Sequence, residues 1–372
     1  MLEQIFNDFA RDETGRRRFL KNLTTGACLS LASLGMSGCS SSLKQAPRLN
    51  RATSVEPGES RVSFVTGKDR REMVYESLRP FRDHIQDSIQ NKQVVIKINC
   101  VVDSNPLIAT HPDAVRGLLD FLGPIYDRKI IIGESTASDK GTFTTFEQYG
   151  YVPLESEYNV RLVELNSEPT TYHWILDPNM FTQQIRIINT FLDPNNYIFS
   201  ITRLKTHNVG VVTLTLKNVV MGSPLKIPSQ KINDKSKMHA NSKENLSPKM
   251  LNVNMFLMAQ RVKPDFGILD GVEGVEGDGP TRGEPVDHHV VLAGPDYLSV
   301  DRIGTELMGV PWEKVGYLNF CAEAGLGQAD LSKITIIGPD YRDHIRTYKL
   351  HRNIEWQFEW MDNLAIPRKH ET

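Results

Sequence analysis

Apolar residues recur along the chain with two alternating periods. The helical spacing from Met73 to Ile89 predicts a first helix, and the β-branched run from Gln93 to Asn99 predicts a short buried strand. A second helix is predicted over Pro112 to Leu122, where proline takes a favoured place in the first turn, and a strand follows over 129–132. Helices that alternate with short strands at this spacing are typical of an α/β layer with a largely parallel sheet.

The rest of the chain continues this pattern and predicts a single, mixed, largely parallel α/β domain over residues 61–372. Its core covers 94–337, and an aromatic tail at 340–372 is apolar enough to dock on it. Residues 170–191 suggest an antiparallel excursion, and residues 211–221 fit both a strand and a helix. The further predicted strands are 160–165, 185–188, 197–202, 266–269, 289–292 and 334–337, and the further predicted helices are 143–149, 248–262 and 299–308.

Cationic side chains follow the strand predicted over 197–202. Arg203, Lys205 and His207 alternate, so an extended chain would place them on one face, and Lys217 follows later. Like charges placed together are costly unless an anion neutralises them. Open α/β sheets usually bind ligands at the carboxyl ends of their strands. The pattern therefore indicates an anion site, although a solvated strand end with ordinary surface lysines would give the same residues.

Several short polar motifs occur in a fixed order between Val94 and Ile337. They are Lys97-Ile-Asn99, Thr110-His111-Pro112, Gly133-Glu134-Ser135, Lys205-Thr-His207, Thr215-Leu-Lys217-Asn218, Asp270-Gly271, Glu276-Gly-Asp-Gly-Pro280, and Gly294-Pro-Asp296 with Asp301. Together they resemble the core of the family named DUF362, a domain of unknown function. The resemblance favours a helix over residues 211–221, which would let Lys217 and Asn218 face Lys205. It implies no agreed reaction, and the ferredoxin-like cysteine clusters of some members are absent from this sequence.

Residues 222–249 form a long polar insertion that is rich in lysine and contains His239. Loops of this length are usually functional or disordered. We expect either a mobile basic flap that could bring His239 to the anion site, or a solvated disordered loop.

A second dense stretch, residues 270–285, combines recurrent glycine with Asp270, Glu273, Glu276 and Asp278. Carboxylate oxygens are the ligands that Mg²⁺ and Ca²⁺ prefer, but the spacing is not that of an EF-hand. Glycine-rich backbone can instead present its N–H groups to an anion, and a solvated acidic loop is a third explanation.

Cations and carboxylates at neighbouring strand ends suit a polar small molecule that carries a carboxylate or phosphate, with a divalent metal between them. His207 is the candidate acid/base because imidazole titrates near neutral pH, and Lys205 and Lys217 are its candidate catalytic partners. A histidine here could also be only a structural hydrogen-bonding group. The predicted ligand-binding residues are Lys97, Asn99, Glu134, Arg203, Asn218 and His239, and the predicted metal ligands are Asp270, Glu276 and Asp278.

The first 60 residues predict export rather than folded structure. Residues 16–21 match the twin-arginine pattern through Arg16 and Arg17, so residues 1–38 are expected to be a signal peptide read by the twin-arginine translocase. A basic amphipathic helix is the alternative. Residues 36–39 resemble a lipobox, and lipid on Cys39 would anchor the protein to the bacterial envelope through a tether at 39–60. Cleavage nearby would instead leave a soluble periplasmic protein.

Composition and motifs narrow the functional classes that fit this protein. A formal net charge of −2 lacks the basic excess that is typical of nucleic-acid-binding proteins. Neither a Walker A motif nor the dinucleotide-binding pattern Gly-x-Gly-x-x-Gly occurs. If Cys39 carries lipid, the mature chain retains Cys100 and Cys321, too few for this chain alone to ligate an iron–sulfur cluster. These two thiols could form a disulfide or remain free and buried.

Three functions fit these residues. The first is an exported enzyme that acts on an anionic small molecule. The second is a non-catalytic envelope lipoprotein that binds a metabolite or cofactor for a partner. The third is a redox accessory protein without its own cluster.

Overall fold

The computed structural model describes residues 58–179, 181–227, 230, 233–239 and 247–361. Eleven strands and eleven α-helices run through these residues. The strands are β1 (Ser60–Thr66), β2 (Gln93–Lys97), β3 (Ile130–Glu134), β4 (Val160–Glu164), β5 (Thr170–Leu176), β6 (Thr182–Ile188), β7 (Asn196–Thr206), β8 (Val212–Thr213), β9 (Phe266–Glu276), β10 (Glu284–Gly294) and β11 (Ile334–Ile337). The helices are α1 (Arg70–Leu78), α2 (Arg82–Ile89), α3 (Pro112–Leu122), α4 (Thr142–Gln148), α5 (Leu154–Glu157), α6 (Thr215–Val220), α7 (Asp234–Met238), α8 (Pro248–Ala259), α9 (Tyr297–Leu307), α10 (Gly316–Glu323) and α11 (Ile354–Phe358).

Nine strands form one mixed sheet in the order β11-β1-β10-β9-β7-β2-β3-β4, with β8 added to β7. The strands from β4 to β9 in this order are mutually parallel, whereas β10 pairs antiparallel with both β9 and β1. Strands β5 and β6 form a separate antiparallel hairpin. The structure thus confirms the predicted largely parallel α/β sheet.

The direction in which strands are added reverses beside β2. From β2 the chain proceeds to β3 and β4 on one side, and it then returns to place β7 and β9 on the other side. Because these strands are parallel, their carboxyl ends face one edge of the sheet. Ligands of open α/β sheets bind at such a reversal. The fold therefore brings the ends of β2 and β7, which carry Lys97 and Lys205, to the usual position of a binding site.

Both faces of the sheet are buried, which explains the nearly continuous apolar runs of its central strands. Val94 and Ile96 of β2 pack in one cluster with α1, α2 and α3. Val95, which points to the opposite face, packs in the other cluster with α6, α8 and α9. The alternation of side chains along a strand thus assigns successive residues to separate halves of the core.

Most predicted elements are confirmed, and α3 and β11 have the predicted bounds. The ambiguous residues 211–221 contain both expected structures, because the short strand β8 is followed by α6. The antiparallel excursion is the β5–β6 hairpin. The tail docks as expected over its described part, since Tyr341, Tyr348 and Trp360 are buried.

Three expectations need correction. The predicted elements lack β1, which precedes the first predicted helix and pairs with β10 and β11 from late in the chain. The acidic glycine-rich segment is not a loop up to residue 285, because β9 extends to Glu276 and pairs with β10. The described part of the insertion at 222–249 includes the helix α7, whose Asp234 and Met238 are buried.

No helix in the described part of the chain is both long enough and apolar enough to cross a lipid bilayer.

Candidate functional site

A cavity of about 270 Å³ lies beyond the carboxyl ends of β2, β3 and β7, and we call it the lysine cavity. Segments that are distant in sequence meet in its wall. They are the ends of these strands, the helix α6, Lys226, and residues within 233–239. The lining residues are Lys97, Asn99, Cys100, Val101, Glu134, Ser135, Ala137, His207, Thr213, Lys217, Asn218, Met221, Gly222, Lys226, Asn233, Lys235, Ser236, His239 and Pro280.

Lys97 and Glu134 form a buried ion pair in the wall, with Nζ 2.7 Å from Oε1. The Lys97 ammonium also donates to the backbone oxygen of Ile98 and to Asn218 Oδ1. The two Glu134 oxygens accept further hydrogen bonds from the backbone N–H groups of Cys100 and Ser135. These three contacts of Glu134 hold Lys97 and two loops, and the ligand contact expected of Glu134 stays a prediction.

A chain of hydrogen bonds connects this ion pair to Lys205. Lys205 Nζ donates to Asn99 Oδ1 at 2.5 Å and to the backbone oxygen of Ile108 at 2.8 Å. Asn99 Nδ2 then donates to Asn218 Oδ1 at 2.8 Å, the same oxygen that Lys97 contacts. Lys205 thus lies behind the wall rather than in it. Its burial lowers the pKa of the Lys205 ammonium to about 7.

Lys217 enters the cavity from α6. The buried carboxylate of Asp301 accepts the backbone N–H groups of Thr215 and Leu216 and thereby fixes the first turn of this helix. Lys217 itself is only 5% exposed, and among the described residues it has no hydrogen-bond or ion-pair partner. Burial, assisted by the charge of Lys205, lowers the pKa of the Lys217 ammonium to about 7.

His207 lies just after β7 with its ring in the cavity wall. Its Nδ1 accepts hydrogen bonds from the backbone N–H groups of Val209 and Gly210, at 3.0 and 3.1 Å. Nδ1 therefore carries no proton, and the neutral ring bears its hydrogen on Nε2. Burial and the nearby Lys217 hold the pKa of His207 well below its usual value. This arrangement favours a fixed hydrogen-bond donor, and the acid/base role of His207 stays a prediction.

His239, in the insertion, reaches the site as expected. Its ring stacks on that of His207, with centroids 6.3 Å apart and planes at 12°. Burial and the charge of Lys217 lower the pKa of His239 to about 3, so this ring is neutral as well.

Two cavity lysines were not singled out from the sequence. Lys235 of α7 donates to Ser135 Oγ and to the backbone oxygens of Met221 and Gly222, and burial lowers its pKa to about 7. Lys226 pairs with Asp139 at 2.7 Å. The unusual density of lysine in residues 222–249 was the available signal, but it did not show which lysines turn inward.

Arg203 does not join the cavity, although it shares a face of β7 with Lys205. Its guanidinium donates to the backbone oxygen of Ala109 and to the backbone and carboxylate oxygens of Glu273. It therefore ties the loop after β2 to β9. These contacts give Arg203 a structural role, and its predicted contact with a ligand stays a prediction.

The three predicted metal ligands lie outside the cavity wall and have protein partners. Asp270 pairs with Arg70, Glu276 accepts the backbone N–H of Lys349, and Asp278 pairs with Arg352. Across the described ranges, no group of three or more His, Cys, Asp or Glu side chains is arranged to hold a metal ion. The divalent-metal site therefore stays a prediction.

The two body cysteines are free and buried, and they belong to different halves of the core. The alternative of a Cys100–Cys321 disulfide is therefore wrong. Arg16, Arg17 and Cys39, on which the export and lipidation predictions depend, lie outside the described residues.

The wall as a whole carries more positive than negative groups. Lys97, Lys217, Lys226 and Lys235 line it, whereas Glu134 is its one acidic residue among the described side chains. Low-dielectric walls strengthen the field of such a cluster. The arrangement suits a small anion that is removed from water.

Comparison with known proteins yields one family match. Residues 94–306, more than half of the chain, match the model of the family described as a domain of unknown function (DUF362). A thylakoid-associated protein of Synechocystis sp. is 24% identical over 218 residues, which are 58% of this chain and 63% of that protein. The chain thus spans less than two thirds of the length of this relative. A crystal structure of a protein from Thermotoga maritima aligns with 59% of this chain and 55% of its own at 13% identity, with a TM-score of 0.38.

Proposed function

We propose that this chain, which belongs to the DUF362 family, binds and transforms a small molecule bearing a carboxylate or phosphate group in the lysine cavity. The observation that carries the proposal is the buried position of Lys217 without a protein counter-ion in the described structure. An unpaired charge in such a place is costly. A bound anion would supply the missing partner.

The positions of the family motifs support the same cavity. Lys97, Asn99, Glu134, His207 and Lys217 come from four separate motifs and all line it. Their contacts with one another explain part of this convergence, since the Lys97–Glu134 pair is structural. Lys217 and His207 also line the cavity, and neither Lys217 Nζ nor His207 Nε2 has a protein partner among the described residues.

Isothermal titration calorimetry with inorganic phosphate tests the proposal. We expect the wild-type protein to bind phosphate and Lys217→Ala to bind it about 10- to 100-fold more weakly, because a charge-assisted hydrogen bond contributes about 1.5–3 kcal/mol. Lys140→Ala is the matched control, since Lys140 is 70% exposed and pairs with Asp103 away from the cavity wall. Circular dichroism would confirm that both variants fold. Absence of binding to the wild type, or equal binding by all three proteins, would contradict the proposal.

A non-catalytic binding protein is the second candidate function. It is favoured by the neutral, hydrogen-bonded state of His207, which removes the expected proton acceptor from the site. Mass spectrometry of the ligand recovered after incubation distinguishes a binding protein from an enzyme. Ligand that is recovered unchanged, in an amount equal to that of the protein, would support the non-catalytic binding protein.

We further propose export by the twin-arginine translocase and anchoring through lipid on Cys39, on the strength of the sequence motifs. Fractionation of cells that express an Arg16→Lys, Arg17→Lys double variant should find the protein retained inside. A Cys39→Ser variant should be exported but released from the membrane fraction. Unchanged fractionation of either variant would contradict the corresponding proposal.

A further inference from the structure

Several residues that line the lysine cavity have a polar atom without a protein partner among the described residues. They include the amine of Lys217 and Nε2 of His207, and Thr213 Oγ1 and His239 Nδ1 also have none. The other three lysines of the wall have acceptors within hydrogen-bond distance. Lys97 has Glu134, Lys226 has Asp139, and Lys235 has Ser135. Three of the four lysines described in the wall therefore have protein partners, and only the amine of Lys217 is left for a ligand.

Without a bound anion, Lys217 exchanges between its ammonium and neutral amine forms near neutral pH. Burial penalises the ammonium form and the buried Lys205 adds repulsion, and together they lower its pKa to about 7. A neutral, desolvated lysine is a good nucleophile toward carbonyl carbon. Lys205 has a similar pKa, but its Nζ is bonded to Asn99 and lies behind the wall.

His207 supplies the complementary group. Because Nδ1 accepts two backbone hydrogen bonds, Nε2 is held as a donor, and the ring cannot rotate without losing both. A fixed donor in a site shielded from water stabilises negative charge that develops on an oxygen. A carbonyl group between the two residues would therefore meet a nucleophile at its carbon and a donor at its oxygen.

We propose that Lys217 forms an imine with the aldehyde or ketone group of a small carboxylate or phosphate ligand. The proposal rests on the anion binding proposed above and names the reactive group of that ligand. The Lys217 nitrogen forms a bond to the carbonyl carbon, and the π electrons of the carbonyl pass to its oxygen. This oxygen receives the two protons that leave nitrogen and departs as water, giving the imine without oxidant or reductant.

Glyoxylate tests the proposal because it combines an aldehyde with a carboxylate and is small enough for the cavity. The full chain is incubated with glyoxylate and sodium cyanoborohydride, which reduces an imine to a stable secondary amine. Peptide mapping by mass spectrometry then locates the adduct. We expect one adduct at Lys217, formed at least tenfold faster than at the exposed Lys140, and we expect inorganic phosphate to suppress it.

Lys217→Arg is the matched variant, since arginine keeps the positive charge but forms no imine under these conditions. It should lose the selective adduct, and calorimetry with inorganic phosphate measures separately how the substitution changes anion binding. His207→Gln should slow adduct formation while the adduct remains at Lys217. Wild-type protein that binds phosphate but labels Lys217 no faster than Lys140 would overturn the imine and leave anion binding intact. Wild-type protein that binds neither phosphate nor glyoxylate would overturn both proposals.

Discussion

Asp301 of α9 accepts two hydrogen bonds from Thr215 at the start of α6, one from the backbone N–H at 2.8 Å and one from the hydroxyl at 2.6 Å. Its other oxygen accepts the backbone N–H of Leu216 at 3.0 Å. The carboxylate thus occupies the N-terminal end of a helix that has no side-chain cap of its own. Through this contact a residue outside the cavity sets the position of Lys217.

We expect Asp301→Ala to destabilise the protein by about 2 kcal/mol or more, because it removes a helix cap and leaves buried donors without acceptors. Urea denaturation measures this loss. Asp330→Ala is the control, since Asp330 caps a short exposed turn through Ser332 and should cost less than about 1 kcal/mol. Equal losses in the two variants would contradict the role given to Asp301.

The Lys97–Glu134 pair should behave as a coupled unit. Glu134→Gln leaves the Lys97 ammonium buried without its counter-ion, and removal of one partner from such a pair costs about 3–5 kcal/mol. Lys97→Met with Glu134→Gln should be less destabilised than the sum of the single variants. Urea denaturation of the four proteins gives the coupling energy, and additive effects would show that the pair is not coupled.

Stability without ligand should rise between pH 7 and about pH 8.5. The pKa values of Lys205, Lys217 and Lys235 are lowered to about 7 in the folded protein, whereas unfolded lysine keeps its proton to about pH 10. The unfolded state therefore binds more protons in this window, and the free energy of unfolding increases with pH, by up to about 1.4 kcal/mol per pH unit for each group.

Urea midpoints in phosphate-free buffer measure this dependence. Lys217→Met should flatten it, because one of the three groups is gone. Two effects oppose the rise at the ends of this window. Near pH 7 the folded protein still holds a proton on Asp301, whose pKa burial raises to about 7, and near pH 8.5 unfolded thiols lose protons that the buried Cys100 and Cys321 keep. The three lysines outweigh both effects. A midpoint that falls from pH 7 to 8.5 would contradict the lowered lysine pKa values.

Gly222 leaves room for the Lys97 side chain. A Cβ at this position would lie 2.5 Å from Lys97 Cε and 2.6 Å from the backbone oxygen of Asn218. Gly222→Ala should therefore cost about 1–3 kcal/mol in urea denaturation and weaken phosphate binding. Gly123→Ala is the control, because its Cβ would meet its nearest neighbour at an ordinary 3.5 Å. Unchanged stability of Gly222→Ala would show that Lys97 has space to move.

Much of the fold could be predicted from local pattern. Helix α3 begins at Pro112 and presents apolar residues at helical spacing, so its bounds follow from nearby residues alone. Strand β1 could not be recognised in this way. Its partners, β10 and β11, come more than two hundred residues later. The extension of β9 through a glycine-rich stretch likewise depends on pairing with β10.

The candidate site was predictable as a set of residue types and not as a set of roles. Arg203 and Lys205 look equivalent in the sequence, since both are cations on one face of a strand. In the structure, Arg203 donates hydrogen bonds to Glu273 and Ala109. Lys205 donates a hydrogen bond to Asn99 instead. Lys235 was hidden among similar lysines until α7 placed it against Ser135. These roles depend on partners that no local pattern identifies.

The sequence by itself determined most of the strands and helices, the resemblance to the family, and the gathering of cations at strand ends, because periodicity and motif order are local properties. Only the tertiary structure decided that Lys97 is paired, that His207 is a neutral donor, and that Lys217 lacks a partner in the described structure. The physical reason is that charge state and hydrogen bonding depend on burial and on neighbours. In the lysine cavity, the burial and the neighbours of each group come from segments that meet only when the sheet has assembled.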